Sequence, residues 1–216
     1  MLAALACLIG IFGLLVIAEL LGGYKVLKGE YHRKFLHISG GAFIAFWPWI
    51  ISWTTIELFA VGALALMITN HFWSFLNYRG RVGRATYGDI FLALAILLCA
   101  VFTHNKVFFM LAILEVALAD GLAAVTGIAY GKNWAYKIFK NKKTVIGSMV
   151  FWLTSTCILG GGLLAAHNNI SFSDYFLILL VLPPLLTVIE NFSVYGLDNL
   201  FLPLITIAAL RALQIS

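Results

Sequence analysis

Residues Leu2–Gly23 read LAALACLIGIFGLLVIAELLGG, a run in which Glu19 is the one charged residue. A helix crosses the hydrocarbon core of a bilayer in about 20 residues, and this run is long enough. Its apolar residues are continuous and do not alternate, so it reads as a helix in lipid and not as a barrel strand. It lacks a basic leading segment and exceeds the roughly 7–15-residue apolar core of a secretory signal. It is therefore expected to be retained as a first span.

The same pattern continues outward from this run. Of 216 residues, 62% are hydrophobic and 11% are charged, whereas a soluble domain carries about 25% charged residues. A water-soluble chain of this size has too little interior to hide so much apolar surface. Further spans are expected over residues 35–51, 55–72, 89–102, 107–124, 145–166, 175–189 and 199–213. The expected fold class is all-α: a polytopic transmembrane helical bundle of seven to eight spans, seven if one short segment is re-entrant. It forms a single domain over residues 1–216. Trp47, Trp49 and Trp53 mark a turnaround at the water–lipid boundary. Pro183 and Pro184 are expected to kink or shorten the seventh span. Cys7, Cys99 and Cys157 all fall in apolar stretches, offer no disulfide or zinc spacing, and read as small buried hydrophobes.

Twelve of the fourteen basic residues fall in alternate loops. The first such loop holds Lys25, Lys28, Arg33 and Lys34, the next Arg79, Arg81 and Arg84, and the last Lys132, Lys137, Lys140, Lys142 and Lys143. The positive-inside rule puts these loops in the cytoplasm and both termini on the opposite side. The net charge of +5 thus orients an integral membrane protein and calls for no nucleic-acid partner.

The chemistry gathers on that same face. Glu30-x-x-Arg33-Lys34-x-x-His37 sets an acid, two cations and an imidazole on one helical face. Such a face can hold a phosphate beside a titratable ring, or simply anchor the helix with snorkelling cations. Asp120 heads a stripe with Ala124, Gly127 and Gly131. Small residues admit another helix or a ligand, and the acid suits Mg²⁺ bound to phosphate oxygens or a lone ion pair. Lys142-Lys143-Thr144 followed by Gly147-Ser148 opens a span, where free N–H groups and lysines attract anions. It is no Walker loop, because the Gly-x-x-x-x-Gly-Lys frame is missing; the bland alternative is an ordinary basic flank. Glu190, Asp198 and Asn199 border the last cytoplasmic loop, as further oxygen ligands or as helix caps. Glu19 and Glu115 read as buried partners for Arg or His. Arg79, Arg81, Arg84, Thr86 and Tyr87 either bind phosphate or orient the chain, and His71, His104 and His167 read as interfacial residues at span ends.

Taken in order, four motifs resemble the CTP-dependent lipid kinases. They are Glu30-x-x-Arg33-Lys34-x-x-His37, Asp120-x-x-Ala123-x-x-x-Gly127-x-x-x-Gly131, Lys143-Thr144-x-x-Gly147-Ser148, and Glu190 with Gly196-Leu197-Asp198-Asn199-x-x-x-Pro203. That group includes dolichol, phytol and farnesol kinases and the fungal CTP-dependent diacylglycerol kinase, and borders on phosphatidate cytidylyltransferases. The chain departs from it in two places: Ile128-Ala129-Tyr130 stands where a basic residue is common, and Ala119 where glycine is common. The downstream aspartates of a CDP-alcohol phosphotransferase are absent.

The resemblance implies a CTP-dependent kinase that phosphorylates a long-chain lipid alcohol of polyprenol, dolichol or phytol type at the cytoplasmic face. Its cofactor would be Mg²⁺, held by Asp120 and Asp198 with Glu190. Arg33, Lys34, Lys142, Lys143, Thr144, Gly147, Ser148 and Asn199 would bind nucleotide and phosphate, and His37 or a carboxylate such as Asp120 or Asp198 would take the alcohol proton. Its partners would be CTP, the lipid alcohol and surrounding membrane lipids. A phosphatidate cytidylyltransferase is the nearest alternative. A membrane transporter with Glu115 and Asp120 at a midplane site is a second.

Overall fold

The computed structural model describes residues 1–73, 87–139, 141–165 and 171–214, with the backbone alone for residues 213 and 214. Arg79, Arg81, Arg84, Thr86, Lys140 and His167 lie outside the described residues. The apolar runs are helical: α1 (Leu2–Gly23), α2 (Glu30–Ala45), α3 (Trp53–Trp73), α4 (Gly88–Phe102), α5 (Lys106–Leu114), α6 (Gly121–Tyr130), α7 (Val145–Ala165), α8 (Phe172–Phe192) and α9 (Asp198–Gln214). A π-helical segment, Glu115–Asp120, joins α5 to α6 without a break.

Among the described residues, five helices are long and apolar enough to cross a membrane: Leu2–Gly23, Trp53–Trp73, Lys106–Tyr130, Val145–Ala165 and Phe172–Phe192. Gly88–Phe102 is apolar but shorter. The expected segments near residues 35–51 and 199–213 are helical as well, as α2 of 16 residues and α9 of 17. α2 begins with four ionisable residues within five positions, which shortens its apolar part.

Burial identifies the axis of the bundle. Two thirds of the α5–π–α6 rod is buried (67%), against 11% of α1 and of α3. Residues apolar all round belong inside a bundle, whereas lipid can solvate an exposed apolar helix. Phe108, Leu111 and Val116 of the rod meet Phe151 and Leu159 of α7, Leu186 of α8 and Leu202 of α9 in one cluster. A second cluster joins Phe109 and Ile113 to Cys99 of α4, Ile56 of α3 and Ala45 of α2. Close approach depends on small residues: a Cβ added at Gly41 would lie 2.6 Å from that of Ala117. Asn105 starts the rod, accepting the N–H groups of Val107 and Phe108 at 3.0 and 3.2 Å.

Several local expectations change. Two short strands form a β-hairpin, β1 (Ala135–Ile138) antiparallel to β2 (Asn141–Thr144), in a chain whose other regular elements are helical among the described residues. α8 runs unbroken through Pro183 and Pro184 and is longer than the expected 175–189; membrane helices tolerate internal proline because neighbouring groups re-satisfy the freed backbone. Trp47 is buried between Phe43 and Phe59, while Trp49 is half-exposed. Cys7 and Cys99 are buried as expected, but Cys157 is exposed on α7.

Candidate active site

The polar face of α2 turns toward the middle of the rod. Residues three and four apart share a helical face, so Glu30, Arg33, Lys34 and His37 point the same way. Arg33 Nε donates to Glu30 at 2.9 Å. Lys34 Nζ lies 2.5 Å from Asp120 Oδ2, and both side chains are about 6% exposed. His37 Nε2 lies 3.0 Å from the Val116 carbonyl and 3.5 Å from Asp120 Oδ2. A carbonyl oxygen only accepts, so this ring nitrogen carries the hydrogen. Val116 and Asp120 both belong to the π segment, a conformation that recurs at functional sites.

The hairpin and α7 close the site from the other side. Thr144 Oγ1 accepts the Gly147 N–H at 3.0 Å and so caps α7. A Cβ at Gly127 would meet that oxygen at 2.7 Å, so glycine here lets α6 and α7 touch. Lys143 donates to the carboxylate of Glu190 and, at 3.0 Å, to its carbonyl. Burial alone would lower the Lys143 ammonium; Glu190 and then Asp198 outweigh it and hold it above its usual value. Tyr136 bonds to Ser148 Oγ at 2.6 Å and donates to Asn191 at 2.5 Å. Asn141 donates to the Ser193 carbonyl at 3.0 Å. The hairpin is thereby tied to the end of α8.

The last wall comes from the turn into α9. Tyr195 and Gly196 both have positive φ, 57° and 89°, conformations that favour glycine and strain a tyrosine. The turn delivers Asp198, whose carboxylate accepts the Asn199 N–H at 3.0 Å. Burial, and next the charge of Asp120, raise the Asp198 carboxyl above the ordinary aspartate value against the pull of Lys143 and Lys34. Asn199 Nδ2 donates to the Gly88 carbonyl at 2.8 Å. Its amide therefore ties α9 to α4 from the edge of the site.

These walls enclose a cavity of about 920 Å³, within the range of roughly 300–1,000 Å³ usual for small-molecule sites. Arg33 and Lys34 enter from α2, and Asp120 from the rod. Lys142, Lys143 and Thr144 enter from the hairpin, with Gly147 and Ser148 behind them. Glu190, Asp198 and Asn199 complete it from α8 and α9. Every residue singled out for nucleotide or metal lies on this wall. His37 does not; it sits behind Asp120. Sequence reasoning missed Lys132, Phe139, Asn141 and Tyr195, which also line the cavity. Alternation of Tyr136 and Ile138 with Lys137 is a strand signal, but four residues are too few to outweigh the neighbouring helices.

Most of the cavity charge is paired internally. Arg33–Glu30, Lys34–Asp120 and Lys143–Glu190 are ion pairs. Lys132, Lys142 and Asp198 are in no ion pair among the described residues. No group of three His, Cys, Asp or Glu able to hold a metal ion occurs among the described residues. Elsewhere, Glu19 lies 3.6 Å from the buried His32. Among the described residues Glu115 has no Arg or His partner; it is fully buried in the rod, with Ser155 of α7 beside it. The apolar packing of α5 with α7 brings it no cation. His71 stacks on Tyr87 at 4.8 Å, and His104 meets Trp53 edge-on at 5.6 Å.

The chain is similar to the phytol kinase of Synechocystis sp., with 30% identity over 195 residues, covering 87% of this chain and 81% of that protein. No family model matches the chain, and no solved structure matches it.

Proposed function

Because this chain belongs to the phytol kinase family of lipid kinases, we propose that it transfers the γ-phosphate of CTP to the hydroxyl of a phytol- or polyprenol-like alcohol at the cytoplasmic membrane face. The single observation that carries this reading is the cavity: acids and lysines remote in sequence meet at the ends of membrane helices, where a lipid hydroxyl and a soluble nucleotide can both reach. The likeness to a phytol kinase favours phosphate transfer over cytidylyl transfer or transport. The basic loops support the cytoplasmic placement, and resemblance supports the choice of CTP.

The donor set fits one magnesium ion carried by the nucleotide. Mg²⁺ keeps several waters and takes one or two protein carboxylates beside substrate phosphates, so no three-ligand cluster is required. Asp198 is a cavity carboxylate in no ion pair among the described residues, and it feels the charges of Asp120, Lys143 and Lys34; Glu190 is at hand but engaged by Lys143. When bound, the ion would neutralise charge on the terminal phosphates.

The chain's own side chains do the rest. Lys132 and Lys142 are free to meet phosphate oxygens, and Arg33 supplies a fork-shaped donor. Lys34 and Lys143 pair with Asp120 and Glu190 and hold those carboxylates in place. In the transfer, the alcohol oxygen bonds to the γ-phosphorus, the bond from that phosphorus to the β–γ bridging oxygen breaks, and CDP leaves. The alcohol proton goes to a carboxylate, for which the uncompensated Asp198 is the best placed. His37 acts on Asp120 and the Val116 carbonyl as a positioning residue.

The test is purified protein in nanodiscs with Mg²⁺, CTP or ATP, and phytol or a polyprenol. Lipid phosphate and CDP are the expected products. Pyrophosphate as product, or no lipid phosphorylation with either nucleotide, overturns the proposal.

A further inference from the structure

The hairpin carries a charge arrangement that the cavity does not explain. Its register sets Lys137 directly opposite Lys142, and both are exposed. Like charges directly opposite each other in an antiparallel pair destabilise it, and a two-stranded hairpin has little stability of its own to lose. Neither lysine is in an ion pair among the described residues. Lys142 reaches the cavity wall, but Lys137 does not.

The other face of the hairpin is fully engaged. Tyr136 and Lys143, the neighbouring cross-strand pair, bond to Asn191 and Glu190 of α8. Large ring side chains flank the two strands along the chain and stay exposed: Tyr130 is 74% exposed, Trp134 66% and Phe139 69%, the last with its ring edge-on to Phe192. The hairpin links the ends of two membrane-spanning helices, Lys106–Tyr130 and Val145–Ala165. Hydrocarbon gives way to headgroups at that level, and aromatic rings collect there.

We propose that the Lys137–Lys142 face of the hairpin, rimmed by Tyr130, Trp134 and Phe139, is a binding surface for anionic phospholipid headgroups of the leaflet next to the cavity. A headgroup phosphate between the two ammonium groups turns their repulsion into attraction. The rings lie among the glycerol and upper acyl region. A nucleotide in the cavity would account for Lys142 and Phe139, which line it, but not for Lys137 or for the bare rings of Tyr130 and Trp134. The consequence is a hairpin held in shape by the membrane itself, keeping Lys143 turned to the cavity.

Full-length protein in nanodiscs tests this without any assay of catalysis, so the outcome is separate from the fate of the kinase reading. Thermal melting is compared in phosphatidylcholine and in phosphatidylcholine mixed with phosphatidylglycerol, at low and high salt. The wild-type protein should melt higher in the anionic discs, and high salt should erase the gain. Lys137→Glu should lose most of that gain, yet melt no lower than wild type in neutral discs, because its carboxylate would face Lys142. Lys28→Glu, an identical charge change at another exposed position, should keep the gain. Equal losses in the two variants, a full gain in Lys137→Glu, or no gain in wild type would each overturn the proposal. So would a loss confined to stabilisation by CTP, which would hand the lysines to the nucleotide.

Discussion

Replacing Lys34 with methionine removes the cation from a nearly dry ion pair. Lys34 Nζ and Asp120 Oδ2 are 2.5 Å apart and each side chain is about 6% exposed at the cavity wall, so little water reaches the pair. The next polar neighbour of Asp120, His37, donates its Nε2 hydrogen to the Val116 carbonyl and sits 3.5 Å from the carboxylate. Breaking a buried pair by removing one partner costs about 3–5 kcal/mol, whereas replacing both partners by apolar groups is often near neutral. Lys34→Met should therefore unfold at markedly lower denaturant, by an equivalent of about 3–5 kcal/mol. Asp120→Leu should behave alike, since it strands the ammonium. The double variant should recover most of the loss, giving a coupling of about 2 kcal/mol or more in a double-mutant cycle. Equilibrium unfolding in mixed micelles measures all four corners, and lipid phosphorylation is assayed alongside. The double variant should be folded and inactive. Single variants within about 1 kcal/mol of wild type, or a double variant no better than the worse single one, would refute the pairing.

Two further outcomes concern the same cavity. Asp198 is buried with its carboxyl raised above the usual aspartate value, so the folded state binds its proton more tightly than the unfolded chain does. In the nucleotide-free protein the contribution of this group should be fully present below the unfolded aspartate value of about 3.9 and be lost as pH rises through the higher folded value; Asp198→Asn should flatten that dependence in melting curves while lowering kcat roughly 10²–10⁴-fold. For His37, glutamine offers a donor at the position of Nε2, so His37→Gln should keep kcat within about tenfold of wild type while His37→Ala falls further. A loss of roughly 10²–10⁴-fold in His37→Gln, with folding intact by melting, would make the ring a proton acceptor after all.

The helices were legible because each apolar run outlasts any alternative in lipid, and the positions read for nucleotide or metal, from Arg33 to Asn199, line one cavity. Glu30, Arg33 and Lys34 were readable from helical period alone. What spacing does not encode is which cation meets which acid: Lys34 and Lys143 were read as phosphate ligands, yet each is held by a carboxylate 86 or 47 residues away. The hairpin escaped because its strands are four residues long and lie among lysines that also read as a basic flank. Trp47 looked interfacial by residue type, but the short turn after α2 folds it inward against Phe59. The run of prolines in α8 carried a rule from water, where a broken backbone bond has solvent to turn to and a helix can simply stop.

The central rod also constrains how the protein is assembled. Its middle carries Glu115 and Asp120 five residues apart, both buried. A translocating chain meets this segment alone before α7 has been made. An acid at the centre of a lone helix costs about 2.5–3.5 kcal/mol to insert, so the rod is a poor guest of the bilayer by itself. Lys34 is already available from α2, synthesised earlier, whereas Ser155 and the packing surface of α7 arrive later. Insertion of the rod is thus a joint event, in which an earlier helix supplies the counter-charge and a later one seals the far side. The residues that equip the cavity are for that reason also the ones that set the order in which the bundle can close.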